Sequence, residues 1–539
     1  MMGIKVRSFA ALPRDLSLED LVPEDHFYRR LEARLDLSFV RELVAPLYAE
    51  GGRPSVDPVV FFKLQLVMFF EGLRSERELM KVAADRLSLR WYLGYDLQEP
   101  LPDHSSLTRI RERFGLGVFR RFFERIVEEC VEAGLVWGEE LFIDATKVEA
   151  NAAVDSLAPR WFVEAYLREL FEEEAGEHGT KDAEGLSDTH DARSGDEGPL
   201  HFLPTATNED LLRSNRASED WISRAGAQDR SFKGGAPRER TADTRASRTD
   251  PDATPMRWSE NARRLGYRTN YVVDGGKARI ILSVLVTPGE VSENRPMLDL
   301  LWRTAFRWKI RPHHVTADGT YGTAENIKVV ERWGIRAFLV PHEAGGRVGF
   351  FRKSEFAYDA EKDLYTCPAG QILRALGDVE DIRSRGKIAT YRARASACAA
   401  CSLKPRCTTN KNGRSLRRSA KDEYIDIVRA YELTEPYRKA LRKRKVWIEP
   451  LFAEGKLWHG MGRFRTRTLR KVNAEALMTA AGQNVKRLLT CGRRGPEKLA
   501  QAAALRPPAR SQLDPTQRRS WDHRRERRVE PTFFNTLAR

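Results

Sequence analysis

VTADGTYGTAEN, residues 315–326, decides how this chain reads. An apolar, β-branched start runs into Asp318, the Asp318-Gly319 pair opens a turn, and Thr323 stands where it caps a helix beginning at Ala324. A strand that delivers a carboxylate at its exit and passes into a helix belongs to an α/β sheet. Alone, such a carboxylate is turn chemistry. It gains chemical meaning when other carboxylates or a metal meet it in space.

Working outward, EELFIDATKVEA (139–150) reads as a strand carrying Asp144 at its apolar end. YRTNYVVD (267–274) and ARIILSVLVTP (278–288) read as two strands separated by the Gly275-Gly276 turn. A helix near 294–309 precedes the strand ending at Asp318, and a helix near 323–333 with the strand IRAFLVP (335–341) completes the run. Three strands, helix, strand, helix, strand is a mixed α/β sheet. Upstream, PVVFFKLQLVMFFEGL, RELMKVAADRL and VFRRFFERIVEECVEAGLV space their apolar residues as helices, so residues 16–135 read as an all-α N-terminal domain. Within it, DHSSLTRIRERFG (103–115) opens with capping residues and sets Arg109, Arg111 and Arg113 on a short helix. That pattern resembles the second half of a helix-turn-helix, and equally a solvated charged helix.

A third carboxylate lies in KRKVWIEPLFAEGKLWHGMGRF (443–464). Pro450 suits the first turn of a helix, which places Glu449 at the helix start, and Phe452 and Lys456 follow along one face. A carboxylate, an apolar anchor and a cation are thereby offered to one neighbour. Glu149 and Asp274 are further acids on strands, read as structural.

FIDATKVEAN, VTADGTYGTAENI and the Glu449 helix with its E-x6-K spacing resemble the three signature blocks of bacterial insertion-sequence DDE transposases. The N-terminal helices resemble the InsH-type domain that often precedes them. The resemblance implies a ribonuclease H-like catalytic domain over 136–490, in which Asp144, Asp318 and Glu449 hold Mg²⁺ or Mn²⁺ and Lys456 touches DNA near the reacting phosphate. It implies DNA as partner, both element ends and target, with a homo-oligomer holding the two ends. Where the family often shows Y-x2-R-x3-E, this chain has Arg442 and Lys445; Lys lacks the bidentate reach of Arg, so Arg444 is the substitute to consider. A nuclease of the same fold that cuts without joining, and an inactive DNA-binding descendant, are the rival readings.

Cys367 in LYTCPAGQIL and Cys398, Cys401 and Cys407 in ACAACSLKPRC form a Cys-rich insertion over 360–410, between the second and third carboxylates. Four thiolates can hold a structural Zn²⁺; packed free thiols are the alternative. Residues 170–256, rich in small and charged groups, read as a mobile insertion, and 491–539 as a basic, disordered tail. Lys and Arg number 92 against 77 acids, a net charge of +15, which suits a polyanionic partner. The most apolar run, VVFFKLQLVMFF (59–70), is interrupted by Lys63 and too short to span a membrane, and the first residues lack a secretory pattern, so a cytoplasmic location is expected.

Overall fold

The computed structural model describes residues 16–49, 51, 55–159, 245–260, 262–341, 349–381, 386–419 and 422–491. Most of the expected mobile insertion, and the basic tail from residue 492, lie outside the described residues. The end of that insertion departs from expectation, because 245–256 contributes strands.

The N-terminal region is helical: α1 (Leu18–Leu21), α2 (Phe27–Arg34), α3 (Phe39–Val44), α4 (Pro58–Phe70), α5 (Glu76–Asp85), α6 (Leu87–Leu93) and α7 (His104–Glu132). Asp57 caps α4 by accepting from Val59 N–H at 2.8 Å, Pro58 fills the first turn, and apolar residues on every side make α4 a buried helix. Asp103 caps α7 in the same way, accepting from Ser105 N–H at 2.8 Å. The expected short helix at 103–115 is therefore the first half of a 29-residue helix, bent at Gly115, whose φ of 61° suits only glycine.

The strands are β1 (Glu140–Glu149), β2 (Leu157–Pro159), β3 (Arg245–Ser247), β4 (Thr254–Arg257), β5 (Arg263–Asp274), β6 (Ile281–Pro288), β7 (His314–Gly322), β8 (Arg336–Pro341), β9 (Ala357–Asp359), β10 (Leu364–Thr366), β11 (Ile372–Asp381), β12 (Gly386–Ala393) and β13 (Ser415–Ser419). The later helices are α8 (Met297–Arg307), α9 (Ala324–Arg332), α10 (Ala395–Ala399), α11 (Asp422–Glu432), α12 (Glu435–Trp447), α13 (Glu449–Trp458) and α14 (Leu469–Cys491). The main sheet runs β6-β5-β1-β7-β8, with β4 on the first residues of β5. β5 is antiparallel to both of its neighbours, β6 and β1; β7 and β8 run parallel to β1, each reached through a helix. This is the mixed α/β sheet expected. Asp274 ends β5 with its carboxylate accepting from the backbone N–H groups of Trp137, Gly138 and Gly276, a structural role.

One hydrophobic core extends from Tyr28 to Leu488. Helix α14 joins its parts, lying against α7, β6 and α4. At the crossing with α4, Gly482 faces the Phe69 ring so closely that a Cβ would stand 2.5 Å from it, while His459 stacks on the same ring at 3.7 Å. The helical region and the sheet thus share an interior. A second, smaller antiparallel sheet, β13-β12-β11-β10-β9, has its own core of Phe356, Tyr365, Leu373, Tyr391, Ala393 and Leu416. No helix among the described residues is long and apolar enough to cross a membrane.

Gly482→Ala is expected to lower stability by about 1–3 kcal/mol through overpacking. In urea titrations, far-ultraviolet dichroism and tryptophan fluorescence should move together, because the helices and the sheet have no separate cores. Two separated transitions would contradict the shared interior.

Candidate functional site

β1 and β7 pair in parallel up to Phe142 and Thr316. Two residues further along each strand stand Asp144 and Asp318, so the two-residue period of a strand sets them at one level and on one face. Pairing between β7 and β8 is interrupted from Ala317 to Gly322, the stretch that contains Asp318. Asp318 is half-buried and accepts from Thr320 N–H at 2.9 Å. Asp144 is buried, and its Oδ1 accepts from Ala145 N–H at 2.9 Å. Burial pushes the Asp144 carboxyl up to about 6; Arg444 and the Ala145 N–H oppose this, while the charges of Asp318 and Glu293 add to it.

Glu449 opens α13, as its position before Pro450 predicts. The helix is anchored by Phe452, which stacks on Tyr271 with ring centres 4.7 Å apart, and Tyr271 lies opposite Asp144 on β5. Glu449 reaches Asp144 only through an intermediary. The Arg444 guanidinium bonds Asp144 Oδ2 at 2.7 Å and stands 3.7 Å from Glu449 Oε1. Arg444 and Asp144 are each 12% exposed at the side chain, whereas Glu449 is 53% exposed.

Neighbouring cations take other places. Lys443 is bound to Glu140 and to Gly275 C=O, Arg442 pairs with Glu435 at 2.6 Å in solvent, and Lys445 is exposed. Lys456 is half-buried, with its ammonium held below the usual lysine range by burial and by the charge of Lys147. Lys147 lies on β1 and donates to Arg257 C=O at 2.8 Å.

Sequence reasoning missed Lys147 and the pair formed by Glu293 and Arg268. Glu293 follows β6, and burial raises its carboxyl, with the charge of Asp318 adding and that of Arg268 opposing. Arg268 sits opposite Lys147 in the β1–β5 ladder. No spacing in the sequence marks this pair; only the strand register brings it to the site.

Of the arginines that the helix-turn-helix resemblance would turn toward DNA, Arg109 is exposed, with Nη2 at 3.4 Å from Ser105 Oγ. Arg111 is placed otherwise: it is paired with Glu76, which also accepts from Arg465 at 2.9 Å. Burial, with the charge of Arg465, pushes its guanidinium down to about 10. Its neighbours Leu107, Ile110 and Phe114 define the buried stripe of α7, and one helical turn brings Arg111 to that stripe. Arg111 thus closes the seam between the helical region and the segment after α13.

Among the described residues no three His, Cys, Asp or Glu side chains stand close enough to hold a metal ion. The oxygen-only donors Asp144, Asp318 and Glu449 nevertheless suit a hard divalent cation, and a cationic guanidinium already stands between two of them. Cys367, Cys398, Cys401 and Cys407 line one pocket of the small sheet. Cys367 Sγ accepts from Gln371 N–H at 3.2 Å. Burial raises the Cys407 thiol, and the other three sulfurs add to the shift. Cys130 is buried in the main core, its thiol pushed up to about 12.

Two family models match the chain: Transposase domain (DUF772) over residues 16–113, and Transposase DDE domain over residues 366–489. The second stretch includes the four cysteines, Arg444, Glu449 and Lys456; Asp144 and Asp318 fall outside both. Together the matches support the resemblance to insertion-sequence DDE transposases at both ends of the described chain. No curated protein and no solved structure matches.

Glu454 fastens α13 to α14, bonding Lys486 at 2.7 Å and Arg487 at 2.9 Å. Burial would raise its carboxyl, but the His459 hydrogen bond and the charges of Arg487 and Lys486 outweigh it and hold the group well below the usual carboxylate range. A depressed carboxyl stabilises the fold above its unfolded value, and that stabilisation is lost as pH falls. Glu454→Gln should lower stability at pH 7 by roughly 1–3 kcal/mol. In thermal melts the gap from wild type should narrow as pH drops below the ordinary 4.5. A gap independent of pH would show that the Glu454 charge is not what fastens the helix.

Proposed function

We propose that this chain is an insertion-sequence transposase that binds the ends of its element, cuts DNA and joins the cut end to a target, on a ribonuclease H-like fold. The observation that carries the reading is Arg444 joining Asp144 to Glu449 beside the strand of Asp318. In support of it, Asp144 and Asp318 lie on neighbouring parallel strands and Arg444 links Asp144 to Glu449, in the order along the chain that the DDE resemblance implies. The strand order, with three antiparallel strands followed by two parallel ones, supports the ribonuclease H-like assignment.

In this reading Asp144, Asp318 and Glu449 hold Mg²⁺ or Mn²⁺. When bound, such ions supply electrostatic stabilisation to the attacking and leaving oxygens of an in-line displacement. The chain's own residues do the rest. Burial of Asp144 fixes one ligand position, and the Phe452–Tyr271 stack fixes the start of the helix that presents Glu449. Lys456 beside Lys147 offers a dense positive charge to a phosphodiester, stronger for being partly removed from water. Lys445, Arg109 and Arg444 add cations for the DNA backbone, and the N-terminal helices supply end recognition. Water cuts a phosphodiester to leave a 3′-hydroxyl and a 5′-phosphate, and that hydroxyl attacks a target phosphodiester and releases a target 3′-hydroxyl, so no side chain acts as nucleophile. Holding two ends calls for at least two copies of the chain on DNA. The reaction belongs in the cytoplasm, where bacterial DNA lies. In the small sheet, the four cysteines would hold a structural Zn²⁺.

The deciding assay is joining of a DNA that carries the element's own ends, with Mg²⁺ or Mn²⁺. Wild type should cut and join, and Asp318→Asn should lose at least about a hundredfold, the scale on which one electrostatic partner of a transition state acts. Cutting without joining would favour the nuclease; end binding with neither would favour the inactive descendant. For the small sheet, protein purified under reducing conditions should carry about one zinc per chain by elemental analysis, lost in Cys398→Ser. A zinc-free wild type would leave the cysteines as packed thiols.

A further inference from the structure

We propose that Arg444 is a built-in counter-cation of the candidate centre: it neutralises Asp144 and Glu449 in the resting protein and must give way before a divalent cation can bind. The proposal rests on the reading of Asp144, Asp318 and Glu449 as metal ligands.

Both oxygens of Asp144 are committed in the structure, Oδ1 to Ala145 N–H and Oδ2 to Arg444. Each carboxylate oxygen can accept more than one partner, so a cation at Oδ2 competes with Arg444 directly and one at Oδ1 meets the guanidinium charge across the same carboxylate. The same guanidinium lies 3.7 Å from Glu449, on the path between the two carboxylates. It is the one cation that these two carboxylates are seen to share among the described residues.

Its placement is built into the fold. Helix α12 ends at Trp447 and α13 begins at Glu449, with Ile448 still in the right-handed helical region and Pro450 carrying no N–H to continue the ladder, so Arg444 and Glu449 belong to two helices. The last turn of α12 is pinned by Trp447, whose indole N–H donates to Gly276 C=O at 3.0 Å, and by Lys443, which donates to Gly275 C=O at 2.8 Å. Ile448 is fully buried. With the turn pinned on both sides of it, Arg444 projects toward β1, and adjacent Lys445 is left in solvent.

The electrostatics favour exchange. A buried carboxylate left without a partner is costly, so Asp144 needs a cation nearby at all times. A guanidinium supplies one charge, and a divalent ion supplies two. Arg444 thus keeps the centre intact before loading and sets a threshold for it, while remaining on a flexible side chain that can turn to a phosphate once displaced.

The test is Mn²⁺ binding to the full-length protein, followed by the paramagnetic resonance of free Mn²⁺, together with thermal melts with and without Mn²⁺. Arg444→Gln should bind Mn²⁺ about tenfold more tightly than wild type, in line with removal of a competing charge at contact distance. Without metal it should melt lower than wild type, and Mn²⁺ should close that gap. Arg444→Lys, which keeps the charge but loses the forked reach, should fall between them, and it decides the matter if Arg444→Gln does not fold. Equal or weaker Mn²⁺ binding in the variants, or a melting deficit that Mn²⁺ leaves unchanged, would overturn the proposal. If Asp144→Asn binds Mn²⁺ as wild type does, the reading of the ligands itself falls, whatever Arg444 does.

Discussion

A carboxylate removed from water must be compensated, and Asp144 is the buried carboxylate around which the second half of this chain is arranged. Its strand is central, with β5 on one side and β7 on the other, so compensation cannot come from bulk solvent. One oxygen is met by the next backbone N–H, and the other requires a cation carried in from a distant helix. That requirement fixes where α12 must end. It in turn fixes where α13 begins, and therefore where Glu449 can stand. The remaining acids of the site, Asp318 and Glu293, raise the electrostatic cost further, which explains why Arg444, Arg268, Lys147 and Lys456 gather close by.

Such a site needs a rigid support, because a guanidinium 2.7 Å from a carboxylate tolerates little drift. The support is α14. It is apolar on more than one side, and it packs at once on the sheet and on the N-terminal helices, so the two regions share one interior. Buried amides on α14 reinforce the fit: Asn473 and Asn484 bond the backbone of β6, and Gln483 Nε2 donates to Leu451 C=O of α13 at 2.8 Å. The helical region and the helix of Glu449 are therefore joined through packed side chains and not through a loose linker.

Much of this was legible in the sequence. Alternating and β-branched runs marked β1, β5, β6, β7 and β8 in order, and Thr323 and Pro450 marked helix starts that the structure has. Asp144, Asp318 and Glu449 stood out because strand exits and helix starts are read locally. What escaped depends on register and phase. Lys445 holds the expected spacing before Glu449, yet it lies on α12 and Glu449 on α13, and Arg444 is the residue turned inward. Arg111 and Arg109 look alike in sequence, but the two helical steps between them, a rotation of roughly 200°, separate a buried ion pair from a solvated side chain. Glu293 and Lys147 carry no motif, and meet the site only through the fold.

The place of the cysteine unit follows from the same constraint. Between β8 and α11 the chain leaves the main sheet, and α11 returns it to β8 and α9 before α12 delivers Arg444. An insertion there is tolerable only if it folds on itself without pulling on its ends. The small antiparallel sheet meets that need in topology, since its strands pair only with one another. Its six-residue core is small for a unit of this length, and small cores are commonly completed by cross-links or bound metal. Four cysteines around one pocket, with Cys367, Cys398 and Cys407 packed on that core, stand where such reinforcement would tie the outer loops to the sheet.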